Sequence, residues 1–588
     1  MDIEIDLGQL IPADLPDGRD AVRAGRELAK SVERSRSLYC EEKGVGSERE
    51  WRERARDAGI PCTTMNIGLN TWADTRTALE NIYESCMSRN VRPPDRFNLI
   101  AERRMGLPKD KRAGAPAETG PVLWTDQDWW ELTHTVPIQP EAADNMIGGP
   151  GSVENVLDAL RVGVTYIGVL SQYSWRWPYW DDEVSQLQSV LTAGGVLAAF
   201  RNQGIVFDSY LEDGYPGVFH DYASYIGWAM LERYVSEELI GAAYSSSWGG
   251  LTQNPVIKSA VTLALDAVNP GRVPTAFLQG DTIGNGADFD ANYGVLVNDL
   301  LFMKLTDMRY RLGGAPLAVP VTEAERIPSW DEVATVQTIS RKVDDYVPMV
   351  TGAIDWKHIE DLRDRLVIGG RHFFDTALSS MTSMGIDVRD PARVLLVLKR
   401  LGAAKCEELF APGERDDGFL RGKRPILETD LVRETNTKRN RLLDSFASHS
   451  EEHRIRGMKL LVASTDVHEF AKFLLTSTFD ALQANVIDCG INRDPEDIVK
   501  VVAETAPDAV VLTTHNGVAR SFATRLLNEL RDQRLDTPVF MGGVLNEDVE
   551  GSDVPVDVRA DLIRIGVQIP GTVDELVAAL RQLHMAQR

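Results

Sequence analysis

Short apolar runs alternate with amphipathic segments along the last third of the chain. The runs are rich in Val, Ile and Leu, and they lie at 458–464, 485–490, 508–514, 538–543 and 562–569. Runs of this length between amphipathic helices are typical of strands that helices cover on both faces. The pattern therefore predicts a doubly wound parallel sheet over 457–588, in which ligands bind at the carboxyl edge of the strands.

The part of the chain before this region shows the same alternation of apolar runs and amphipathic segments over a greater length. Its candidate strands lie at 63–69, 142–148, 165–171, 205–210, 238–245 and 275–280. Six or more such units in one block predict a (β/α)8 TIM-type barrel, whose active site lies on the loops that follow the strands. A Rossmann-like domain is the competing prediction, but no GxGxxG motif follows a strand here. We place a helical extension at 1–54, the barrel at 55–446 and a polar linker at 447–457.

Length and charge limit the possible functions. The chain has 588 residues, enough for more than one domain, and a formal net charge of −25, which argues against nucleic acid and anionic membrane surfaces as partners. Its five cysteines are scattered without a CxxC spacing, which disfavours cysteine-rich metal sites and predicts a reducing, cytoplasmic location. The acidic N-terminus lacks the features of a signal peptide, and there is no apolar run of 18 residues.

An aspartate and a histidine directly follow the first strand of the predicted C-terminal sheet. Asp466 and His468 come after the apolar run 458–464, so both side chains belong to the carboxyl edge of that sheet. An imidazole is a good ligand for a transition metal, and a carboxylate on its second nitrogen fixes the ring tautomer. The alternative interpretation is that Asp466 only caps the following helix and His468 lies on a surface loop.

The C-terminal region resembles the cobalamin-binding domains of glutamate mutase, methylmalonyl-CoA mutase and methionine synthase. These domains carry Asp-x-His-x-x-Gly after their first strand, and the present chain has Asp466 and His468, with Ala471 in place of the glycine. The later family marks are a hydroxyl pair, a glycine, a glycine pair and a Pro-Gly before the last helix. They correspond to Thr513, Thr514, Gly517, Gly542, Gly543, Pro570 and Gly571.

This resemblance implies a flavodoxin-like domain in which His468 is the lower axial cobalt ligand and Asp466 orients it. It also implies that the small residues at Thr513, Gly542 and Gly543 line a slot for the nucleotide tail of the cofactor. The implied cofactor is adenosylcobalamin, with methylcobalamin as the alternative.

The predicted barrel resembles the catalytic subunit of glutamate mutase over the segments 60–72, 148–168 and 276–305. That family holds its dicarboxylic substrate with arginines. The corresponding positions here are Leu69 or Trp72, Met146 and Ser209. Because a site for two carboxylates needs guanidinium donors, we expect a substrate other than glutamate.

Aromatic residues are frequent after the predicted barrel strands. The loop 171–180, SQYSWRWPYW, contains Tyr173 and Arg176, and Tyr210, Tyr215, Tyr222, Trp228, Tyr244 and Trp248 follow along the chain. We predict that Tyr173 and Tyr210 line the substrate site and that Arg176 binds a substrate carboxylate. His134, Asp208 and Glu212 are candidates for acid–base chemistry. The competing interpretation is that the aromatics belong to the core and that these polar groups are caps or satisfied loop residues.

The resemblance favours an adenosylcobalamin-dependent radical isomerase, a carbon-skeleton mutase that acts on a small amino acid or organic acid as a homodimer. A methylcobalamin-dependent methyltransferase is the first alternative, because the lysine and glutamate that hold the adenosyl ribose in glutamate mutase are missing near 313–317. A non-catalytic cobalamin-binding protein is the second. Hydrolase, zincin and nucleotidase motifs are absent.

Overall fold

The structure is a computed structural model of the chain. It describes residues 10–177, 179–212, 219–275, 278–323, 326–416, 418–419, 421–447, 455–466, 470–515, 517–547, 549 and 555–587. The chain divides into two compact units, Met1–Asp430 and Leu431–Arg588. The division falls directly after Asp430, the first residue of the helix Asp430–Ala447, whereas the barrel predicted from the sequence ends at 446. The mixed α/β class with parallel sheets is confirmed in both units.

Parallel strands in sequential order form the sheet of the N-terminal unit. Within the described residues they are β1 Thr64–Ile67, β2 Arg96–Leu99, β3 Gln139–Ala142, β4 Tyr166–Ile167, β5 Val206–Tyr210 and β6 Ala243–Ser247. Each strand pairs in parallel with the next one along the chain.

Backbone hydrogen bonds continue this sheet beyond β6 and return to β1. The N–H of Gln279 donates to the carbonyl of Trp248 at 2.8 Å, and the N–H of Leu317 donates to that of Leu278, also at 2.8 Å. The N–H of Thr64 then donates to the carbonyl of Pro316 at 3.1 Å. Isolated parallel bridges accompany these bonds, so the segments at Leu278 and at 316–317 connect β6 with β1.

Helices connect the strands of this unit and extend past them. Their bounds are Gly18–Leu28, Leu38–Lys43, Glu48–Ala58, Trp72–Ser88, Lys109–Arg112, Asp126–His134, Ser152–Val162, Glu183–Ala199, Tyr222–Arg233, Pro255–Ala267, Phe289–Tyr310, Trp330–Asp344, Val347–Val350, Trp356–Ser383 and Pro391–Phe410. A π-helical turn, Tyr234–Ile240, precedes β6, and a 3-10 helix, Leu170–Ser174, follows β4. Among the described residues, no helix is both long and apolar enough to span a membrane.

Buried charged side chains from β2, β3 and the helix Glu48–Ala58 form ion pairs with one another. Arg96 on β2 pairs with Glu141 on β3, and a second nitrogen of its guanidinium lies 3.3 Å from Glu48. Arg52 lies 3.5 Å from the same glutamate, and all four side chains are at most 1% exposed. Since removing one partner of a buried pair costs about 3–5 kcal/mol, the four charges depend on one another.

The C-terminal unit has a parallel sheet in the order β10-β9-β7-β8. The strands are β7 Lys459–Ser464, β8 Asn485–Gly490, β9 Ala509–Thr514 and β10 Val539–Gly543, and a short antiparallel pair follows, β11 Asn546–Glu547 with β12 Val556–Asp557. The helices are Asp430–Ala447, Phe470–Ala481, Pro495–Thr505, Ala519–Asp532, Arg559–Ile565 and Val573–Gln587. Gln568 adds a parallel bridge to Phe540 on β10, so the order is that of a flavodoxin-like sheet.

Five predicted strands differ from the structure. The predicted strand 165–171 is extended only at Tyr166–Ile167 and ends in the 3-10 helix Leu170–Ser174. The segment 562–569 is mostly the helix Arg559–Ile565, which ends at Gly566 with φ 106°. The third strand covers 139–142, ahead of the predicted 142–148, and the π-helical turn occupies the first part of the predicted 238–245. In the described part of 275–280, Leu278 forms isolated parallel bridges to Trp248 and Pro316. β2 was not predicted.

Candidate functional site

The carboxyl edge of the C-terminal sheet holds Asp466 in a fixed position. Asp466 follows β7 directly and is fully buried. Its Oδ2 accepts a hydrogen bond from the N–H of His515 at 2.6 Å and one from the hydroxyl of Thr465 at 3.3 Å. Its carbonyl accepts the N–H of Asn492 at 2.9 Å. Asp466 is therefore bonded to loops that follow three different strands.

These contacts lie at the point where the strand order of the sheet reverses. β7 has β8 on one side and β9 on the other, and the chain leaves β7 and β9 towards opposite flanks. Ligands of open α/β sheets bind in the crevice outside the carboxyl ends of the strands at such a point. His468, the predicted metal ligand, lies outside the described residues, as do its two neighbours at 467 and 469.

Two threonines end β9 beside Asp466. The hydroxyl of Thr514 lies 2.8 Å from the hydroxyl of Thr465, and both residues are buried. Thr513 is only 4% exposed, and its hydroxyl has no hydrogen-bond partner among the described residues. Burying a hydroxyl without a partner costs about 1–3 kcal/mol, so Thr513 is a candidate donor to a bound molecule.

Two glycines end β10 and pair with these threonines. Gly542 lies opposite Thr513 and Gly543 opposite Thr514. Gly543 has φ 102°, and a Cβ there would lie 2.3 Å from the carbonyl oxygen of Thr514. A Cβ on Gly542 would meet no atom within 4 Å. The backbone therefore requires glycine at 543, whereas glycine at 542 leaves open space beside Thr513.

The remaining predicted residues lie at other points of the same unit. Gly517 has φ 66° in the loop after β9. Gly571 donates its N–H to Glu575 at 2.7 Å, just before the helix Val573–Gln587, and Pro570 is half-buried. The structure thus brings Asp466, Thr513 and the glycine pair to one sheet edge.

His515 is a residue of this edge that the sequence interpretation missed. It follows Thr514 directly, its side chain is exposed, and its N–H is the donor to Asp466. The available signal was a histidine immediately after the hydroxyl pair Thr513 and Thr514.

Comparison with known families identifies the region that contains these residues. Residues 459–558 match the family model described as B12 binding domain. This region of the C-terminal unit is therefore similar to B12 binding domains. The match includes Asp466, Thr513 and the glycine pair and supports cobalamin binding by the chain.

Other comparisons add little to this match. A novel cobalamin-binding protein from Desulfitobacterium hafniense DCB-2, known from its crystal structure, is similar at 21% sequence identity with a TM-score of 0.18. The similarity covers 22% of this chain and 59% of that protein, so less than two thirds of its length is matched. Comparison with the curated proteins gives no match.

The residues present at this edge fit cobalamin. The described residues contain no group of three or more His, Cys, Asp or Glu side chains that could hold a bare metal ion. Cobalamin needs no such group, because its corrin supplies four nitrogen ligands. What it needs is one axial imidazole, a partner for that imidazole and a slot for its tail. Asp466, the buried hydroxyl of Thr513 and the open space at Gly542 fit the last two requirements.

In the N-terminal unit, polar side chains gather after β5 and β6. Glu212 is 1% exposed and accepts hydrogen bonds from the N–H of Gly249, from the Tyr210 hydroxyl at 3.3 Å and from Thr252 at 3.2 Å. A Cβ on Gly250 would lie 2.7 Å from the Tyr210 hydroxyl and 3.3 Å from Nε2 of Gln279. Tyr210, Glu212 and Gln279 therefore form one polar group, which we call the mouth cluster.

Tyr173 lies in the 3-10 helix after β4. Its side chain is 1% exposed, and its hydroxyl has no hydrogen-bond partner among the described residues. Burial raises the pKa of Tyr173 well above its usual range. The neighbouring Ser171 donates its N–H to Ser209 at 3.0 Å and its hydroxyl to the Tyr210 carbonyl at 2.8 Å, which ties this helix to β5.

Arg176 and His134 occupy different parts of the unit. Arg176 follows the same 3-10 helix, is 34% exposed, and lies 3.0 Å from the exposed Asp181. His134 ends the helix Asp126–His134, which leads into the start of β3, so it lies away from the carboxyl ends of the strands. Its Nδ1 lies 2.7 Å from the Thr133 hydroxyl, and its ring stacks on Trp130. The structure does not bring His134 together with Tyr173 and Tyr210.

Most of the other aromatics are packing residues rather than lining residues. Tyr222, Trp228, Tyr244 and Trp248 are at most 1% exposed and belong to the hydrophobic core. Trp228 and Tyr244 both donate to Glu232 at 2.8 Å, and burial raises the pKa of Glu232 to about 7. The interpretation that the aromatics belong to the core therefore applies to these four residues, and Tyr215 lies outside the described residues.

Asp208 is also an interior residue. It is 1% exposed on β5 and accepts a hydrogen bond from Ser247 at 3.1 Å. Burial and the neighbouring Glu141 carboxylate raise the pKa of Asp208 well above its usual range. Asp208 therefore lies in the interior, near Glu141 on β3 and Ser247 on β6, and Glu212 is equally buried at 1% exposed.

Proposed function

We propose that the protein is a cobalamin-dependent radical isomerase, a carbon-skeleton mutase whose N-terminal unit binds the substrate. The observation that carries this proposal is a parallel sheet in sequential order in the same chain as a B12 binding domain. A protein that only carries or senses cobalamin does not require a second, larger α/β unit in the same chain.

We further propose that the N-terminal unit is a (β/α)8 barrel. The six strands in sequential order and the bonds that run from Trp248 through Leu278 and 316–317 to Thr64 support this. In a barrel of this kind the chemistry takes place at the carboxyl ends of the strands. The mouth cluster, Tyr173 and Arg176 all follow such strand ends, so they are the residues that we assign to the substrate.

In this proposal His468 would provide an imidazole to the cobalt of a bound cobalamin, and Asp466 would fix the tautomer of that imidazole. Thr513 donates its hydroxyl to the nucleotide tail, and Gly542 leaves room for the tail. Adenosylcobalamin, when bound, supplies an organic radical by homolytic cleavage of its cobalt–carbon bond. Tyr210, Glu212 and Gln279 orient the substrate through hydrogen bonds, while the buried aromatic core around them keeps water away.

One observation favours a methylcobalamin-dependent methyltransferase as the second candidate. The segment 313–317 reads GGAPL, and it lies at the return of the sheet to β1, so it offers neither lysine nor glutamate to an adenosyl ribose. A third candidate is a protein that binds cobalamin without catalysis.

The cofactor distinguishes these candidates. At a concentration one hundred times its Kd, adenosylcobalamin should stabilise the full-length apoprotein against thermal unfolding by about 2.7 kcal/mol. We expect methylcobalamin at the same concentration to stabilise it less. With the correct amino acid or organic acid, an electron paramagnetic resonance signal should appear. Stabilisation by methylcobalamin alone, without such a signal, would favour the methyltransferase. Equal stabilisation with no signal from any acid would favour the non-catalytic protein.

Glutamate is the negative control in this experiment. Met146 and Ser209 are buried, and together with Leu69 or Trp72 they correspond, by the resemblance, to the arginines of glutamate mutase. A second carboxylate would therefore lack its guanidinium partner. Formation of 3-methylaspartate from glutamate would contradict our assignment of the barrel.

Replacing Arg176 by alanine should weaken binding of an acidic substrate by about ten- to a hundredfold, because a charge-assisted hydrogen bond contributes about 1.5–3 kcal/mol. The exposed pair with Asp181 contributes at most about 1 kcal/mol, so the fold should be retained. Titration calorimetry with the substrate found above measures the effect. Asp181→Ala is the matched control, because it removes the same pair and keeps the guanidinium. Equal binding by both variants would remove Arg176 from the site.

A further inference from the structure

A small cavity of about 10 Å³, enough for one ion or water molecule, lies in the N-terminal unit directly after Leu278. Its polar wall contains Asp281, Asn285 and Asp299, and its apolar wall includes Val295 and Leu317. The helix Phe289–Tyr310 contributes both Val295 and Asp299. None of these residues belongs to the mouth cluster or to the B12 binding domain.

The charges around this cavity do not balance. Asp299 is 4% exposed, and its Oδ1 lies 2.7 Å from Nζ of Lys258, which is itself 2% exposed. Lys258 also donates to the carbonyl of Gln279 at 3.2 Å. This lysine is therefore the counterion of Asp299, and the charge of Asp281 is left over.

Only one of the two carboxylate oxygens of Asp281 accepts hydrogen bonds from the described residues. Its side chain is 3% exposed, and Oδ1 accepts the N–H groups of Ile283 at 2.9 Å and Gly284 at 3.0 Å. Its Oδ2 is buried and has no hydrogen-bond donor among the described residues. Burial raises the pKa of Asp281, although Lys258 acts in the opposite direction. A carboxylate in this position would gain from a cation beside Oδ2.

We infer that this cavity binds a compact monovalent cation, with Oδ2 of Asp281 as the charged ligand. A divalent ion would need more carboxylates, and the described residues offer no group of three or more His, Cys, Asp or Glu side chains for one. A single carboxylate with neutral oxygens, such as the side-chain oxygen of Asn285, matches a single positive charge. The cation could be a free potassium or ammonium ion, or the ammonium group of a substrate.

The test compares cations at constant ionic strength on the full-length protein. Replacing tetramethylammonium by potassium or ammonium should raise the midpoint of thermal unfolding in a saturable way, because tetramethylammonium is too large for the cavity. In Asp281→Asn the apparent affinity for the effective cation should fall by about ten- to a hundredfold. A response to methylammonium but not to potassium would assign the site to a substrate amine.

Two further variants keep the test decisive. Asp307 is another buried carboxylate, on the helix Phe289–Tyr310, and it accepts the N–H of Gly314 at 2.6 Å. The variant Asp307→Asn should keep the full response to the cation. Val295→Ile fills the cavity without a change of charge and should weaken the response even if Asp281→Asn does not fold. Equal midpoints of unfolding in tetramethylammonium, potassium, ammonium and methylammonium would overturn the inference. So would an unchanged response in Asp281→Asn or in Val295→Ile.

Discussion

Replacing Gly542 by valine should weaken cobalamin binding strongly while the C-terminal unit stays folded. No atom lies within 4 Å of a Cβ at this position, so the valine side chain enters open space without a clash. That space lies beside the buried hydroxyl of Thr513, where we place the tail of the cofactor. Overpacking a site of this kind costs about 1–3 kcal/mol, which lowers the affinity by up to about a hundredfold. Titration of the apoprotein followed by absorbance measures the loss.

Two glycine variants serve as controls for this result. Gly294→Val places the same side chain in open space on the helix Phe289–Tyr310 and should leave cobalamin binding unchanged. Gly543→Ala should instead destabilise the fold by about 1–3 kcal/mol, because φ is 102° and the new Cβ would lie 2.3 Å from the carbonyl of Thr514. Wild-type affinity in a folded Gly542→Val variant would show that the cofactor does not use this space.

Replacing His468 by alanine should change the visible spectrum of bound cobalamin and lower its affinity by about ten- to a hundredfold. The imidazole would no longer ligate cobalt, and loss of an orienting partner alone has an effect of this size in metal sites. Asp466→Ala should lower the affinity in the same range, because Asp466 orients the ligand. It should also loosen the loop after β9, since it accepts the N–H of His515. Absorbance spectra of the three proteins with equal cobalamin provide the comparison.

His515→Ala is the matched control for the axial ligand. His515 lies at the same sheet edge and follows Thr514, so it is the other imidazole that could reach cobalt there. We expect this variant to keep the wild-type spectrum. If the spectrum changes in His515→Ala and stays the same in His468→Ala, the axial ligand is His515 and our assignment of His468 is wrong.

Strands with a continuous apolar pattern were predicted to within a residue or two, and polar strands were not. β7, β9 and β10 are apolar over nearly their whole length, because helices cover both of their faces. β2 and β3 contain Arg96, Asn98 and Glu141, which look like surface residues in the sequence. They are buried because Arg96 pairs with Glu141 and Asn98 donates to Asn66 at 2.7 Å. Their partners lie far along the chain, so no local pattern could identify these strands.

The same distinction applies to the candidate sites. The sequence by itself determined that a carboxylate, a hydroxyl pair and a glycine pair follow successive strands of one parallel sheet, because strand ends and loop residues are local features. Only the tertiary structure decided that the hydroxyl of Thr513 lacks a partner, that Gly542 borders open space, and that Trp228 and Tyr244 are core residues bonded to Glu232. The physical reason is that burial and hydrogen bonding depend on residues from distant segments, and these come together only when the chain has folded.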